Sequence, residues 1–187
     1  MPDLLVTPTA LPEVLVVEPR VLEDARGFFY ESWNARAFAA AGIDAAFVQD
    51  NHSRSQRGAL RGLHFQLVRP QGKLVRVIVG SAFDVAVDIR RSSPHFGKWA
   101  GVELSAANRR MVWIPPGFAH GFLALSDGCE FVYKATDYYL PEMERSIRWD
   151  DPELAIAWPL ARLGATAPVL SAKDTAATSF ADAEVYD

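Results

Sequence analysis

The sequence predicts an all-β protein, an antiparallel sandwich or barrel with a few short helices. Short apolar runs rich in Val, Ile and Phe recur between Gly, Pro, Ser and Asp turns over residues 58–135. No helical pattern separates these runs, whereas parallel strands need a crossover that is usually a helix. The spacing of the turns therefore favours strands that run back and forth in antiparallel sheets.

The N-terminal segment contains two predicted strands and the clearest helix signal. Asn34 can cap the first turn of a helix over residues 34–41, alanines fill it, and Gly42 can end it. Proline closes the first strand, and a turn at residues 24–27 precedes the second, aromatic strand. The two strands span residues 14–17 and 28–33.

The later strands follow one another closely, and the C-terminal tail is irregular apart from one helical turn at residues 150–154. We expect the whole chain, residues 1–187, to form one domain. Its N-terminal strands occupy about 1–50, its barrel core about 51–140, and its tail 141–187. The later strands are predicted at residues 47–53, 74–79, 82–89, 98–104, 109–114, 121–125 and 129–135.

Composition and charge argue against several classes of function. The chain has 187 residues and a net charge of −4, which gives no reason to expect nucleic acid as a partner. Its first residues lack the features of a signal peptide, and no apolar run reaches the ~18 residues of a membrane span. Cys129 is the only cysteine, so no intrachain disulfide can form. We expect a soluble cytoplasmic protein with no membrane partner.

The most informative stretch is Arg-Gly-Leu-His-Phe-Gln, which ends at Gln66. Strict strand alternation places Arg61 and Leu63 on one face, and His64 and Gln66 on the other. A strand that turns His64 and Gln66 inward lines a polar cavity; the alternative is a core histidine satisfied by a neighbouring carbonyl. The cations of Arg61 and Lys73 close to this histidine suit an anionic ligand such as a diphosphate.

A second histidine lies in a motif of barrel proteins. The Pro-x-Gly-x-x-His turn that ends at His120 resembles the second signature element of the cupin barrels, whose histidine points into the barrel. Metal-binding cupins share a His-x-His element followed by a Glu, but here the second position is Gln66, a poor ligand for a transition metal. We therefore expect no metal. The sequence also lacks Gly-x-Ser-x-Gly and Gly-x-Gly-x-x-Gly motifs, which argues against a serine hydrolase and a nucleotide bound at a helix N-terminus.

Several short motifs, taken together and in order, are similar to those of one enzyme family. They are Arg26-Gly27-Phe28-Phe29 with Glu31, Gln49-Asp50-Asn51, Leu60–Gln66, Gln71-Gly72-Lys73, residues 83–90, residues 113–122, Tyr133-Lys134, Tyr138-Tyr139 and residues 170–174. In these motifs the chain resembles the dTDP-4-dehydrorhamnose 3,5-epimerases from about Val14 to Asp174. The resemblance implies a cupin-type double-stranded β-helix, or jelly-roll barrel, that uses no cofactor and no metal.

The resemblance also implies a substrate, a reaction and its catalytic residues. The substrate is a dTDP-linked 4-keto-6-deoxyhexose, inverted at C3 and C5, the two carbons beside the C4 ketone. His64 corresponds to the base, Asp174 to the carboxylate that holds its imidazole, and Tyr133 to the acid that returns a proton from the opposite face. Lys73 corresponds to the cation that stabilises the C4 oxyanion.

A binding site for dTDP and a homodimer are implied in the same way. Tyr139 corresponds to the aromatic residue that stacks on thymine, and a surface tyrosine in a turn is the alternative. In the implied homodimer, an early strand crosses to the partner and brings Arg26 and Glu31 into the partner's site. The other implied contacts are Gln49, Asp50, Asn51, Arg61, His120, Glu144 and Lys173.

Three alternative functions stay open. Relatives in antibiotic-sugar pathways invert only C3 or only C5, and a more distant relative is a ketoisomerase with another arrangement of the base. A non-catalytic cupin that senses or stores a sugar nucleotide would need the nucleotide contacts alone. The joint presence of His64, Lys73, Tyr133 and Asp174 favours the double epimerase.

Overall fold

The computed structural model describes residues 4–164 and 167–187 of the chain. The secondary structure of this part is mainly antiparallel β-strand, in two sheets that pack face to face. It also contains two short α-helices, α1 (Ala35–Ala40) and α2 (Ala172–Thr175), and 3-10 helices at Pro141–Met143 and Leu160–Leu163. None of these helices is long and apolar enough to cross a membrane.

The strands are divided between the two sheets as in a jelly roll. The first sheet contains, in spatial order, β1 (Leu4–Pro8), β2 (Leu15–Pro19), β10 (Met111–Ile114), β7 (Lys73–Val79), β12 (Cys129–Ala135) and β5 (Gln49–Ser55). The second contains β13 (Glu144–Ser146), β6 (Leu60–Gln66), β11 (Phe118–Ala124), β8 (Ser81–Asp88) and β9 (Trp99–Ser105). Two further strands, β3 (Leu22–Asp24) and β4 (Gly27–Phe29), pair with each other as a hairpin. The predicted all-β, cupin-type fold is confirmed.

Three apolar clusters of the described residues hold these layers together. The inner faces of both sheets form the central cluster, which includes Val75, Phe122 and Phe131. The C-terminal tail covers the outer face of the second sheet with residues such as Trp158. Helix α1 packs Phe38 against the outer face of the first sheet. Side chains from both sheets can therefore meet only in the space between them.

Helix α1 begins as the sequence predicts. The Asn34 side chain accepts hydrogen bonds from the backbone N–H groups of Arg36 and Ala37 at 3.1 and 3.2 Å. These bonds satisfy donors that have no partner inside the helix, and they explain why it begins here. Gly42 follows the helix with a φ of +91°, a conformation that side-chain-bearing residues rarely adopt.

Some elements differ from the prediction. The aromatic strand expected at residues 28–33 ends at Phe29, because Tyr30 and Trp33 leave the hairpin and pack against the first sheet. The predicted helical turn at residues 150–154 is present: the Ala155 N–H donates to the Asp151 carbonyl at 2.9 Å, and the Asp151 carboxylate accepts the N–H groups of Glu153 and Leu154. The sequence pattern predicts neither β1 nor β13, since their side chains do not alternate between apolar and polar types.

Candidate active site

Two histidines stand side by side on the inner face of the second sheet. His64 of β6 lies opposite His120 of β11 in the strand register. The Nε2 atom of each ring lies within hydrogen-bond distance of a buried carboxylate, 2.5 Å from Asp174 for His64 and 2.7 Å from Asp84 for His120. The centre of the site is thus a pair of neighbouring His–Asp couples.

The C-terminal tail brings Asp174 to His64. Ser171 caps α2, and its hydroxyl donates a hydrogen bond to the Asp174 carboxylate at 2.7 Å. Burial raises the pKa of Asp174, but hydrogen bonds from His64, Ser171 and the Gly62 backbone outweigh burial and hold the pKa below its usual value. Only 3 % of Asp174 is exposed, so a charged carboxylate is buried here with its partners in place.

This carboxylate determines the tautomer of the His64 ring. A carboxylate without a proton can only accept hydrogen bonds, so Nε2 of His64 must carry the hydrogen. Nδ1 of the neutral ring then keeps a free electron pair. The His64 side chain is 26 % exposed, so the ring can be reached from the cleft.

The prediction that Arg61 and His64 lie on opposite faces of β6 is wrong. Arg61 pairs with the core residue Phe122, and the register of β6 and β11 shifts between this pair and His64. Gly62 lies at the shift with a φ of +123°, and a Cβ atom there would collide with the neighbouring strand. The irregularity turns Arg61 to the face of His64, where its Nε donates to Ser55 Oγ at 3.1 Å.

The first sheet contributes Tyr133 and Lys73 from the opposite wall of the cleft. Tyr133 of β12 pairs with Val75 of β7, whose side chain lies in the central core, so Tyr133 faces inward. Lys73 precedes Val75 by two residues on the same strand and shares its face. The Glu144 carboxylate lies within electrostatic reach of both groups and of His64, which links the two walls.

Burial favours the neutral form of both groups on this wall. It raises the pKa of Tyr133 above the usual value, the Glu144 charge adds to the shift, and Arg61 partly offsets it. Burial lowers the pKa of Lys73 to about 8, although the charges of Glu144 and Asp84 oppose the shift. At neutral pH, Tyr133 therefore keeps its proton, and Lys73 is an ammonium close to its titration range.

Tyr139, Glu144 and Lys173 form a hydrogen-bonded group at the mouth of the cleft. The Tyr139 hydroxyl donates to Glu144 at 2.5 Å, and Lys173 forms an ion pair with the same carboxylate. The bond to Glu144 raises the pKa of Tyr139 to about 12. Burial raises the pKa of Glu144, but the bonds from Lys173 and Tyr139 outweigh it and hold that pKa below its usual value. The mouth therefore combines an aromatic ring with fixed charges of both signs.

Gln66 lies beside His64 on the inner face, but its amide is already engaged. Nε2 donates to the backbone carbonyls of Arg69 and Tyr138, and Oε1 accepts from the backbone N–H of Leu140. Within residues 4–164 and 167–187, no group of three or more His, Cys, Asp or Glu side chains could hold a metal ion. The arrangement suits proton transfer by side chains, and a metal-free reaction stays a prediction.

Three predicted contact residues lie away from the cleft in the single chain. Asp50 is on the outer face of the first sheet, where it forms an ion pair with Lys134 at 2.9 Å. Arg26 lies in the hairpin turn and pairs with Asp24, and Glu31 follows the hairpin in the chain. The predicted residues that do line the cleft or its mouth are Gln49, Asn51, Arg61, His64, Lys73, His120, Tyr133, Tyr139, Glu144, Lys173 and Asp174.

Asp84 and Ser171 belong to the site but were not among the predicted residues. Asp84 is 1 % exposed and holds His120. Its signal in the sequence is a carboxylate within an apolar strand, since a buried carboxylate needs a partner. Ser171 precedes Asp174 by three residues, the spacing of a helix cap, and this spacing could have indicated its role.

Comparison with known proteins agrees with this geometry. The sequence profile of the family described as dTDP-4-dehydrorhamnose 3,5-epimerase matches residues 8–182. A dTDP-4-dehydrorhamnose 3,5-epimerase from Pseudomonas aeruginosa is 58 % identical over 181 residues, which cover 96 % of this chain and 98 % of that protein. The chain belongs to this family. The predicted family and the predicted isomerase class are thereby confirmed.

Solved structures of related epimerases have the same fold. The dTDP-6-deoxy-D-glucose-3,5-epimerase RmlC from Legionella pneumophila, in complex with dTDP-4-keto-L-rhamnose, matches with a TM-score of 0.92 and 52 % identity, covering 97 % of this chain and 95 % of that chain. ChmJ, a 3'-monoepimerase from Streptomyces bikiniensis in complex with dTDP-quinovose, matches with a TM-score of 0.85 and 35 % identity, covering 93 % and 87 %. The fold alone therefore does not decide how many centres are inverted.

Proposed function

We propose that the protein converts dTDP-4-dehydro-6-deoxy-D-glucose to dTDP-4-dehydro-L-rhamnose by inverting C3 and C5, without a cofactor or a metal. The observation that supports this most directly is the cleft in which the His64–Asp174 pair and Tyr133 face each other from opposite walls. Inversion of a carbon beside a ketone needs a base on one side of the sugar ring and an acid on the other.

His64 acts as the base in this proposal. C3 and C5 both flank the C4 ketone, so loss of either proton gives an enolate. Nδ1 of His64 takes the proton, and the electron pair of the C–H bond moves into the ketone until its oxygen carries the negative charge. The resulting imidazolium donates Nε2–H to the charged Asp174, which stabilises it.

Lys73 and Tyr133 complete each inversion. The ammonium of Lys73 stabilises the enolate oxygen. When the electrons return to carbon, the Tyr133 hydroxyl delivers its proton to the face opposite His64. The tyrosinate then regains a proton and the imidazolium loses one through solvent, so the site is reset before the second carbon reacts.

The nucleotide occupies the mouth of the cleft in this proposal. Tyr139 stacks on the thymine base while its hydroxyl is held by Glu144. Lys173 and Arg61 supply cations for the diphosphate. Asp84 orients His120 toward the sugar, as Asp174 orients His64. Gln49 and Asn51 supply further polar contacts from the inner face of β5.

We propose a homodimer in which the β3–β4 hairpin supplies Arg26 and Glu31 to the partner's cleft. Phe28 and Phe29 on this hairpin are 59 % and 70 % exposed, and full burial of such a side chain is worth about 1.5–3 kcal/mol. The Arg109 guanidinium lies 4.4 Å from the centre of the Phe28 ring and forms an ion pair with Glu23 at 2.8 Å, so two contacts attach the hairpin to the rest of the chain. Within the described residues the hairpin joins neither large sheet, and its exposed apolar side chains are suited to packing against a second copy.

The dimer can be tested by light scattering at micromolar concentration, which should give twice the mass of the chain. Replacing Phe29 by Asp should give a folded monomer, because Phe29 is not part of the core of the single chain. Its melting temperature should be lower than that of the wild type, since the contacts of the dimer are lost. This monomer should also lose most of its turnover. A monomeric wild-type protein at this concentration would contradict the proposal.

We also propose that the protein works in the cytoplasm. Cys129 is a free and fully buried thiol, and burial raises its pKa to about 11. It is therefore an unreactive core residue. An oxidising compartment stabilises proteins through disulfides, and the only cysteine of this chain is buried and unreactive, so the chain does not need such a compartment.

The pH dependence of the reaction should show the titration of Lys73. Its pKa, lowered by burial from 10.5 to about 8, means that the ammonium is present below pH 8 and is lost above it. Because the charged form stabilises the oxyanion, kcat/KM should fall about tenfold per pH unit above this value. Lys73→Arg should move this alkaline limb beyond pH 10, since a guanidinium keeps its proton. A flat profile up to pH 10 in the wild type would contradict a charged Lys73 with a pKa of about 8.

Proton NMR in D2O tests the proposed reaction directly. The protein is incubated with dTDP-4-keto-6-deoxyglucose and chelator, and deuterium should enter at both C3 and C5 while the L-sugar accumulates. Exchange at one centre alone would support the second candidate, a mono-epimerase such as ChmJ. Measurable dTDP binding without any exchange would leave only a binding protein.

A further inference from the structure

In the described part of the chain, the segment that carries Tyr139 pairs with no strand, and glutamine side chains hold its backbone instead. Asp137–Leu140 connects β12 to the 3-10 helix at Pro141–Met143 and forms no regular structure. Glutamine amides form four hydrogen bonds with its backbone. Gln71 donates to the Asp137 carbonyl at 2.7 Å, and Gln66 donates to the Tyr138 carbonyl at 3.2 Å. Gln49 accepts from the Tyr139 N–H at 3.0 Å, and Gln66 accepts from the Leu140 N–H at 2.8 Å.

Gln66 is the centre of this arrangement. It is 4 % exposed, and besides its two bonds to the segment it donates to the carbonyl of Arg69 at 2.7 Å. One amide therefore joins β6, the loop that follows it and the Tyr138–Leu140 backbone. Both amide hydrogens and the amide oxygen are engaged, so Gln66 has no donor left for a ligand. Removing it would leave three partly buried backbone groups without this partner, which is costly.

We infer that Gln66 is a positioning residue that orders the Tyr139 segment before the sugar nucleotide binds. The inference rests on the proposed stacking of Tyr139 on the base. Gln49 holds the Tyr139 backbone, Glu144 holds its hydroxyl, and Gln66 holds the residues on either side. A segment ordered in advance loses little conformational entropy when the base arrives, so the ordering adds to affinity.

The same geometry separates binding from the chemical step. The hydrogen bonds of the Gln66 amide go to the Tyr139 segment and to the Arg69 carbonyl, whereas His64 is held by Asp174. Loss of the Gln66 amide should therefore weaken nucleotide binding and raise KM, while kcat at saturating substrate changes little. A residue that acted on the base itself would lower kcat.

Gln66→Met tests the inference, because methionine nearly preserves the volume and removes every hydrogen bond of the amide. We expect the Kd for dTDP, measured by calorimetry, to rise about tenfold, and kcat to stay within about threefold of wild type. Gln71→Met, which removes one bond to the segment, should raise the Kd about threefold and carries the test if Gln66→Met does not fold. The exposed Gln56, replaced by Met, is the matched control and should leave the Kd unchanged.

A double-mutant cycle with Tyr139→Ala then decides whether Gln66 acts through Tyr139. In the Tyr139→Ala background, Gln66→Met should change the Kd by less than about twofold. An undiminished effect in that background, or a fall in kcat without a change in Kd, would overturn the inference. If the wild-type protein shows no deuterium exchange, the proposed function fails. If the wild type is active but the effects of Gln66→Met and Tyr139→Ala on the Kd simply add, only the positioning role of Gln66 is overturned.

Discussion

His64→Gln should lower the rate of deuterium exchange at both C3 and C5 by about 10³-fold, because a positioned base contributes about 10² to 10⁴ to such a step. Glutamine is chosen because its amide nitrogen lies as far along the side chain as Nε2 of histidine and can still donate to Asp174, which avoids leaving a buried carboxylate without a partner. The nucleotide contacts remain, so the Kd for dTDP should stay within about twofold. Exchange followed by NMR and calorimetry with dTDP measure the two quantities on one preparation.

His52→Gln is the control for this experiment. His52 is an exposed histidine on the outer face of β5, paired with Glu130 at 3.1 Å, and should tolerate the change without loss of activity. Retention of wild-type exchange by the His64 variant would mean that another group is the base. Loss of dTDP affinity together with activity would indicate that His64 serves binding, as in a non-catalytic cupin.

The order and type of most strands could be predicted, because turns and apolar runs are local properties of the sequence. The helix cap at Asn34 was predictable for the same reason. The turn of the β3–β4 hairpin was also predicted, but the exposure of Phe28 and Phe29 was not, since both look like core residues. Strand patterns cannot predict this exposure, because they do not distinguish an apolar side chain in the core from one that faces outward.

The site was harder to predict from sequence patterns, because it depends on contacts between residues that are distant in the sequence. His64 and Asp174 are 110 residues apart, and only the family resemblance joined them before the fold was known. The position of Arg61 was predicted wrongly because one positive-φ glycine, Gly62, breaks the strand alternation on which the prediction rested. Asp84 was missed because its partner His120 lies on the neighbouring strand.

Tyr133→Phe should separate proton exchange from inversion. The ring still packs against the core beside Phe131, but the proton donor on that wall of the cleft is lost. His64 can still remove a proton and return deuterium to the same face, so the recovered substrate should carry deuterium at C3 or C5 with its original configuration. Formation of the L-sugar should fall about 10² to 10⁴-fold. NMR of the sugar ring distinguishes the two products.

Tyr138→Phe is the matched control, since Tyr138 is an exposed tyrosine five residues further along the chain. Inversion at the wild-type rate in the Tyr133 variant would assign the acid to another group. An equal loss of exchange and inversion would mean that the Tyr133 hydroxyl is needed to form the enolate, as a hydrogen-bond donor to its oxygen beside Lys73. Exchange with retained configuration is expected only if the base and the acid are separate groups on opposite walls, and it is the result that tests the two-walled mechanism most directly.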